Sequence, residues 1–338
     1  MLKFVVKRLL MAIPVLLGVS IIVFCIMRVF SPDPAGVVLG DHATQDSINA
    51  WREEYGLNKS LPEQYWDFLW GALHGDLGTS YYTHTSVSTE IIKRMPATIE
   101  LALAAIVIAA VVGITLGTLA ATHKGTAVDH VTMIVALAGV SMPVFWIGIL
   151  FIILFAGTLH VLPSTGRIDP ILQPSGGSGF YLVDTLAQGN LEAFGNVVSH
   201  LVLPSVALSL YSLAIIARMT RSSMLDALSE DYVRTAEAKG LRWGRVVRHH
   251  ALRNAMLPVT TIIGLQLGGL MGGAMLTETV FAWPGVGKYT VDAIMKSDFP
   301  VVQGMCLLTG VIFIVMNLLV DVLYAYLDPR IKYAKEEG

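Results

Sequence analysis

The amino-acid sequence predicts an all-α, polytopic membrane protein with six transmembrane helices and both termini in the cytoplasm. Three observations carry this expectation. Of the 338 residues, 54% are hydrophobic and only 14% charged, whereas an ordinary soluble domain carries about 25% charged residues. Six apolar runs, near residues 9–29, 98–121, 131–157, 201–217, 257–280 and 301–327, come close to or exceed a bilayer crossing, which takes about 20 residues. Third, the 23 Lys and Arg residues divide unevenly when the intervening segments are assigned to alternate sides. Lys3, Lys7, Arg8, Lys124, the eight from Arg218 to Arg253, Arg330, Lys332 and Lys335 fall inside, and Arg28, Arg52, Lys59, Lys93, Arg94, Arg167, Lys288 and Lys296 outside. That bias matches the positive-inside rule.

The first run follows Lys3, Lys7 and Arg8 as a secretory leader would, but it ends in "MRVFSPDP" without a small-residue cleavage site and reads as a retained anchor. Residues 30–96 form the first external segment. Within it "LPEQYWDFLWGALHGDLG" places Tyr65, Phe68, Leu69, Ala72 and Leu73 at helical spacing with Pro62 near the start, an amphipathic helix. The second external segment, 158–200, contains the Pro/Gly/Ser-rich "PSTGRIDPILQPSGGSGF"; the third, 281–300, joins the last two runs. In the fifth run Gly264, Gly268 and Gly272, and in parallel Gly269 and Gly273, repeat every four residues. Small residues at that spacing let helices approach closely, either within the chain or against a second transmembrane subunit. Cys25 and Cys306 lie in apolar runs and suggest packing, not a disulfide framework.

The segment 218–256 is unlike the rest. Eight basic residues lie there with Asp226, Glu230, Asp231 and Glu237. At roughly 2.5–3.5 kcal/mol per basic residue at a bilayer centre, burying them would cost on the order of 20 kcal/mol, so the segment belongs in cytoplasmic water. It is patterned nonetheless. Met224, Leu225, Leu228, Tyr232, Thr235 and Ala236 keep a helical stripe, Gly240 stands where a C-terminal cap is expected, and Trp243, Val246, Val247, His250 and Ala251 resume the stripe. Pro258 is expected to open the fifth span. Two short amphipathic helices bent at Gly240 and joined to membrane helices on both sides suit mechanical docking of another protein better than lipid attachment.

"RTAEAKG" followed by "HALRNAMLP" resembles the cytoplasmic EAA loop of binding-protein-dependent ABC importer permeases, in the peptide-transport branch. The general pattern reads Glu-Ala-Ala, three residues, Gly, nine residues, Ile-x-Leu-Pro; counted from Gly240, this chain has Arg234-Thr235-Ala236 and His250-Ala251-Leu252-Arg253 at the two conserved blocks. The resemblance extends over nearly the whole chain through "QYWDFLWGALHGDLGTS", "HKGTAVDH", "SMPVFW", "RMTRSSMLDALSEDYVRTA", "LTETVFAWPGVGKYTVDAI" and "NLLVDVLYAYLDPRI". Length and the 158–200 loop look most like the dipeptide permease type.

The resemblance implies the ABC importer permease fold, one permease domain over 1–338, and a bacterial inner-membrane setting. It also implies a heterodimer with a second permease, two cytoplasmic ATPases that bind ATP and Mg, and a periplasmic peptide-binding protein. This chain itself would bind no cofactor, hydrolyse nothing and contact no nucleic acid. The bent segment would be the coupling helix, with Arg234, Thr235, Ala236, Lys239, Gly240 and Leu241 at the ATPase. A nickel, haem or glutathione importer of the same family is the alternative. An ion-coupled secondary transporter fits less well, because it calls for repeat symmetry and charge at mid-membrane.

Other chemistry is thinly represented. "AWPGVGKYT" lacks the first Gly and the final Ser/Thr of a phosphate loop, having Ala282 and Tyr289 there. No HExxH or CxxC spacing suggests a metal. Ionisable residues near the runs are Glu100, Arg218, Glu278 and Asp321, functional candidates by default. Glu278 is expected at the mouth of the pathway, facing a binding protein or a peptide amine. Ser141, Met142 and Pro143 are expected to kink the third span beside it.

Overall fold

A computed structural model of the chain describes residues 2–31, 33–40 and 42–327. Among them the regular elements are helices. In chain order they are α1 (Leu2–Cys25, continued by a π-turn at Ile26–Phe30), α2 (Pro34–Leu39), α3 (Gln45–Glu54), α4 (Leu61–Leu73), α5 (Val87–Thr122), α6 (Ala127–Ser141) and α7 (Val144–Phe151, continued by a π-segment at Ile152–Thr158). Then follow α8 (Tyr181–Ala187), α9 (Leu191–Ser229), α10 (Asp231–Ala238), α11 (Trp243–Arg245, with a π-turn at Val246–Ala251), α12 (Leu252–Gly273), α13 (Met275–Val280), α14 (Val286–Met295) and α15 (Phe299–Leu327).

Five of the described helical stretches are long and apolar enough to cross a membrane: Val6–Val29, Val87–Thr122, Leu191–Ser229, Trp243–Gly272 and Phe299–Val320. The sixth apolar run is a pair, Ala127–Ser141 and Val144–Thr158, meeting at 99°. The kink expected at Ser141-Met142-Pro143 is thus close to a right angle. Pro143 has no amide hydrogen for α6 and, through its carbonyl, starts α7 by accepting from Trp146 N and Ile147 N. The two arms touch opposite ends of the molecule. Asp129 of α6 meets Arg221 near the end of α9, whereas Gly148 of α7 lies against Phe281.

Helices α5 and α9 run parallel and form the centre, with Leu101, Ala105, Ala109, Leu208, Ile216 and Ala217 buried and Val259 of α12 closing the group. Close approach depends on two glycines. A Cβ at Gly113 would stand 3.0 Å from the Leu213 carbonyl, and one at Gly117 would meet the Ala217 carbonyl at 2.5 Å. Such contact replaces the hydrophobic drive that lipid cannot supply between helices.

The apolar run 201–217 is only the middle of α9, a helix of 39 residues, about 58 Å at 1.5 Å per residue. The short apolar run has a structural cause: 72% of the most apolar stretch of α9 is buried inside the chain, so it need not match lipid. Ser205 and Ser209 return their hydroxyls to the Leu201 and Val206 carbonyls at 2.6 and 2.8 Å, and Ser212 donates to Gln266 Oε1 at 3.1 Å.

The glycine ladder of α12 faces inward. Cβ atoms at Gly264, Gly268 and Gly272 would meet Val320, Met316 and Thr309 of α15, while Gly269 meets nothing within 4 Å. These pairings run α12 and α15 antiparallel. α1 is antiparallel to α15 as well, since Gly310 lies beside Leu16 and Arg28 sits over the Phe299 ring. The start of α1 and the end of α15 therefore share the end of the molecule at which α9 passes into α10.

Two boundaries differ from expectation. Pro258 does not open a helix; it lies inside α12, which continues unbroken from the π-turn before it. The fifth helix also stops at Gly273 rather than 280, because the chain turns at Ala274 and starts α13. At the end opposite α10, α2, α3 and the loop after α4 pack on the start of α15 through Ala35, Trp51, Tyr81 and Phe299. The amphipathic helix forms as expected: Tyr65 bonds Ser20 at 2.9 Å and stacks edge-on to Phe24. Its outer face leaves Trp66 and Trp70 exposed.

Candidate functional site

The connection from α9 to α12 is an elbow built from its own sequence. α9 ends at Ser229, and the extended Glu230 starts α10, so the stripe expected through Met224–Ala236 is divided between two helices. α10 closes in a Schellman turn. Gly240 has φ +75°, its amide donates to the Glu237 carbonyl at 2.8 Å, and Leu241 N reaches back to the Ala236 carbonyl at 3.3 Å. The left-handed conformation is why glycine stands there. Val233, Ala236 and Val246 fill the inside of the bend with Leu228 and Leu241 packed on them. Behind it, Val247, Ala251 and Ala255 pack on Ala121 of α5 and Met224 and Ala227 of α9.

Among the expected contact positions, Arg234, Thr235, Lys239 and Gly240 are exposed, Leu241 is half-buried, and Ala236 is buried within the elbow. Ala236 and Leu241 shape the bend instead of forming its outer surface. Arg242, Arg245, Arg248, His249 and Arg253 add exposed basic groups. Arg234 meets Asp231 at 3.4 Å with both side chains largely in solvent, an ion pair of little worth that leaves the guanidinium available. Trp243, expected on the packed stripe, is 47% exposed, and Tyr232 is 37% exposed. The signal missed in the sequence is the change of register: Arg242 is the N-cap of α11 and a π-turn follows at once, which moves Trp243 off the Val246–Val247 face. Large exposed aromatics beside arginines have the composition of binding hot spots.

The elbow is tied to a second helix. Arg221 of α9 donates from Nε and Nη2 to the two Asp129 oxygens at 2.7 Å each, and Gly125 N donates to Asp129 Oδ2 at 3.0 Å. This bidentate clamp joins the elbow's incoming arm to the start of α6.

At the opposite end the structure buries its charges. Glu278 has 0% exposure. Its Oε1 accepts from Thr98 Oγ1 at 2.6 Å and its Oε2 from Lys288 N at 2.8 Å, while Val286 N donates to Thr98 Oγ1 at 3.0 Å. Glu278 and Thr98 together cap the first turn of α14, and Gly287 leaves room: a Cβ there would stand 2.9 Å from Glu278 Oε2. The carboxylate expected at the mouth of the pathway, facing a binding protein or a peptide amine, is enclosed in the fold. Ser141, Met142 and Pro143 are exposed, so the four expected pathway residues do not share one surface.

Nearby, Arg167 donates to Glu100 Oε2 at 2.6 Å and to the Gly179 carbonyl at 2.7 Å, with both charged side chains 5% exposed; Leu182 N donates to Glu100 Oε1 at 2.9 Å. Those bonds lash the 158–200 segment to α5. Asp298, just before α15, accepts from Ser80 Oγ at 2.5 Å and Tyr81 N at 3.1 Å. Burial pushes its carboxyl above the usual range, and the two hydrogen bonds oppose that rise. Among the described residues, no group of three His, Cys, Asp or Glu could hold a metal ion. The Asp321 side chain and the tail from Asp328 with Arg330, Lys332 and Lys335 lie outside the described residues.

An all-helical chain with five to six candidate membrane crossings, two of them joined by an exposed, basic elbow, belongs to the class of multi-pass membrane proteins. The comparisons specify the family. Residues 113–333 match the binding-protein-dependent transport system inner membrane component, and residues 1–102 match the N-terminal membrane component of the same systems. The chain belongs to this family of binding-protein-dependent transport permeases, multi-pass proteins of the bacterial inner membrane. It is similar to the di/tripeptide transport system permease protein DppB of Pseudomonas aeruginosa, 44% identical over 99% of this chain and 100% of that one. It is likewise similar to the dipeptide transport system permease protein DppB of Escherichia coli, 43% identical over 99% and 100%, and to that of Alkalihalophilus pseudofirmus, 43% identical over 98% and 100%.

Proposed function

We propose that this chain is the transmembrane subunit of an ATP-driven importer for dipeptides or short oligopeptides, forming half of the translocation pathway with a second, homologous permease. The observation that carries the reading is the elbow: an exposed basic and aromatic surface over a tightly packed base, continuous with α9 on one side and α12 on the other. The peptide named for the relatives supplies the substrate class. In this reading the bent α6–α7 pair is one crossing, since its contacts run from the elbow end to the opposite end, and the six crossings put both termini and the elbow in the cytoplasm.

Arg234, Thr235, Lys239 and Gly240 present the outer face of α10 to one of two cytoplasmic ATPases, which bind ATP and Mg and hydrolyse the nucleotide; this chain supplies neither step. Closure of the ATPases pushes the elbow. The Arg221–Asp129 clamp and the glycine contacts of α5 with α9 pass the displacement on as a rigid-body movement, and the exposed Ser141–Pro143 bend is where the pathway side gives way. A loaded peptide-binding protein docks at the opposite end. ATP and the loaded binding protein bias the two states by their differential affinity for them. Glu278 serves the pathway indirectly, by fixing α14. The test is co-purification from detergent: the full chain should bring down an ATPase and a second permease, and a chain that brings down neither defeats the reading.

A further inference from the structure

Beyond this translocation role, the end opposite the elbow holds a cleft of about 680 Å³, bounded by the end of α1, the α3–α4 turn, α4, the loop after it and the start of α15. The volume lies in the range of small-ligand pockets, about 300–1,000 Å³. Its walls carry an unusual set of groups. Gln303 is 4% exposed, yet its Nε2 has no acceptor among the described residues, and the same is true of Arg28 Nε. Gln64 spends its amide nitrogen on the Leu57 and Lys59 carbonyls at 3.1 and 2.8 Å, which fixes the amide and leaves Oε1 buried without a donor. Arg28 is held over the Phe24 and Phe299 rings at 5.8 and 5.4 Å and beside the Tyr81 hydroxyl, so among the described residues its charge is placed by rings and a phenol.

Buried polar groups left without partners are costly, and three on residues lining one cleft mark a place built to be filled. The donors call for an anionic acceptor and Gln64 Oε1 for a donor; the carboxylates of Glu54 and Asp76, which also line the cleft, favour a cation. One small molecule with a carboxylate at one end and an ammonium at the other satisfies both.

We propose that this cleft is a binding site for a short zwitterionic peptide, separate from the translocation pathway, with Arg28 and Gln303 receiving the terminal carboxylate and Gln64 the amino end. The proposal rests on the peptide-import reading and adds to it a site on the permease itself, on the side where the binding protein releases its load.

The test is calorimetric titration of the full chain in lipid nanodiscs with dialanine, and with N-acetyl-dialanine amide, which carries neither terminal charge. Saturable binding of dialanine is expected, at least tenfold weaker for the blocked peptide and for Arg28→Gln and Gln303→Leu, and unchanged for Arg52→Gln, whose side chain pairs with Asp33 at 2.6 Å and does not line the cleft. Thermal midpoints of all variants in the same nanodiscs separate lost binding from lost folding; Gln303→Asn, which keeps the amide, should restore part of the affinity. No saturable binding, or equal affinity in wild type and variants, overturns the proposal even if the assembled importer moves dialanine. Binding at these residues in an assembled complex that imports no dipeptide overturns the import reading and leaves the site standing.

Discussion

The elbow between α9 and α12 and the cap between α13 and α14 both set charge into an apolar chain, and they treat it in opposite ways. At the elbow, Arg234 and Lys239 stand in solvent, Arg234 in a loose pair with Asp231, above a base of Val233, Ala236 and Val246. At the cap, Glu278 is sealed in and its oxygens are taken by Thr98 and Lys288 N, and close by Arg167 and Glu100 neutralise each other out of water. Desolvating a charge is costly unless its hydrogen bonds are met, so the buried groups stabilise this fold and are unavailable to anything outside it. The exposed groups contribute little to the fold and are available to a partner. The cap is scaffold; the outer face of the elbow is exposed charge.

The comparison breaks most easily at Arg167. Arg167→Leu leaves Glu100 buried without its counter-charge and should destabilise the chain by about 3–5 kcal/mol, read as a fall in the thermal midpoint in detergent. Adding Glu100→Leu should recover much of that loss. If the single variant is as stable as wild type, the buried pair is not scaffold. Next in size is Glu278→Ala, which removes the acceptor for Lys288 N and Thr98 and should cost about 1–3 kcal/mol. Glu278→Gln keeps one acceptor and should cost less; equal losses would mean that the cap acts through packing alone.

How far these two regions could be read from the residues follows the same division. The elbow was legible because its signals are local: a helical stripe, a glycine at the cap and a cluster of charge unable to enter lipid all lie within 218–256. The scaffold was not. Glu278 and Thr98 are 180 positions apart, and Arg167 and Glu100 are 67 apart, so nothing near Glu278 in the chain announces that it is buried. α9 was underestimated for a related reason: a central helix is relieved of contact with lipid and can hold serines whose hydroxyls bond within the helix. Inside the elbow, Ala236 keeps its place on the expected stripe, whereas Trp243 leaves it because a π-turn at Val246–Ala251 shifts the face, and periodicity counted at 3.6 residues does not register that.

Gly240→Ala comes next. At φ +75° a Cβ costs about 1–2 kcal/mol, but nothing lies within 4 Å of the position, so the strain stays in the turn. The thermal midpoint of the isolated chain should move slightly, while peptide-stimulated ATP hydrolysis by the assembled importer should fall several-fold. Equal loss of both would place the glycine with the scaffold.

Arg234→Glu should have the smallest effect on the fold and is the sharpest test of the contrast. The side chain is 76% exposed and its one ion pair, with Asp231, spans 3.4 Å; surface changes of this kind usually fall within about 0.5 kcal/mol. The thermal midpoint of the isolated chain should therefore match wild type, or shift by no more than the loss of an exposed i,i+3 pair allows. If the outer face of α10 receives the ATPase, however, reversing its charge should weaken co-purification of that subunit and slow transport, and Lys239→Glu should act in the same direction. Opposite-sign changes in the ATPase groove would be expected to restore the pair. Stability and assembly would then separate completely at one residue, as they cannot at Arg167, where loss of fold and loss of function must come together.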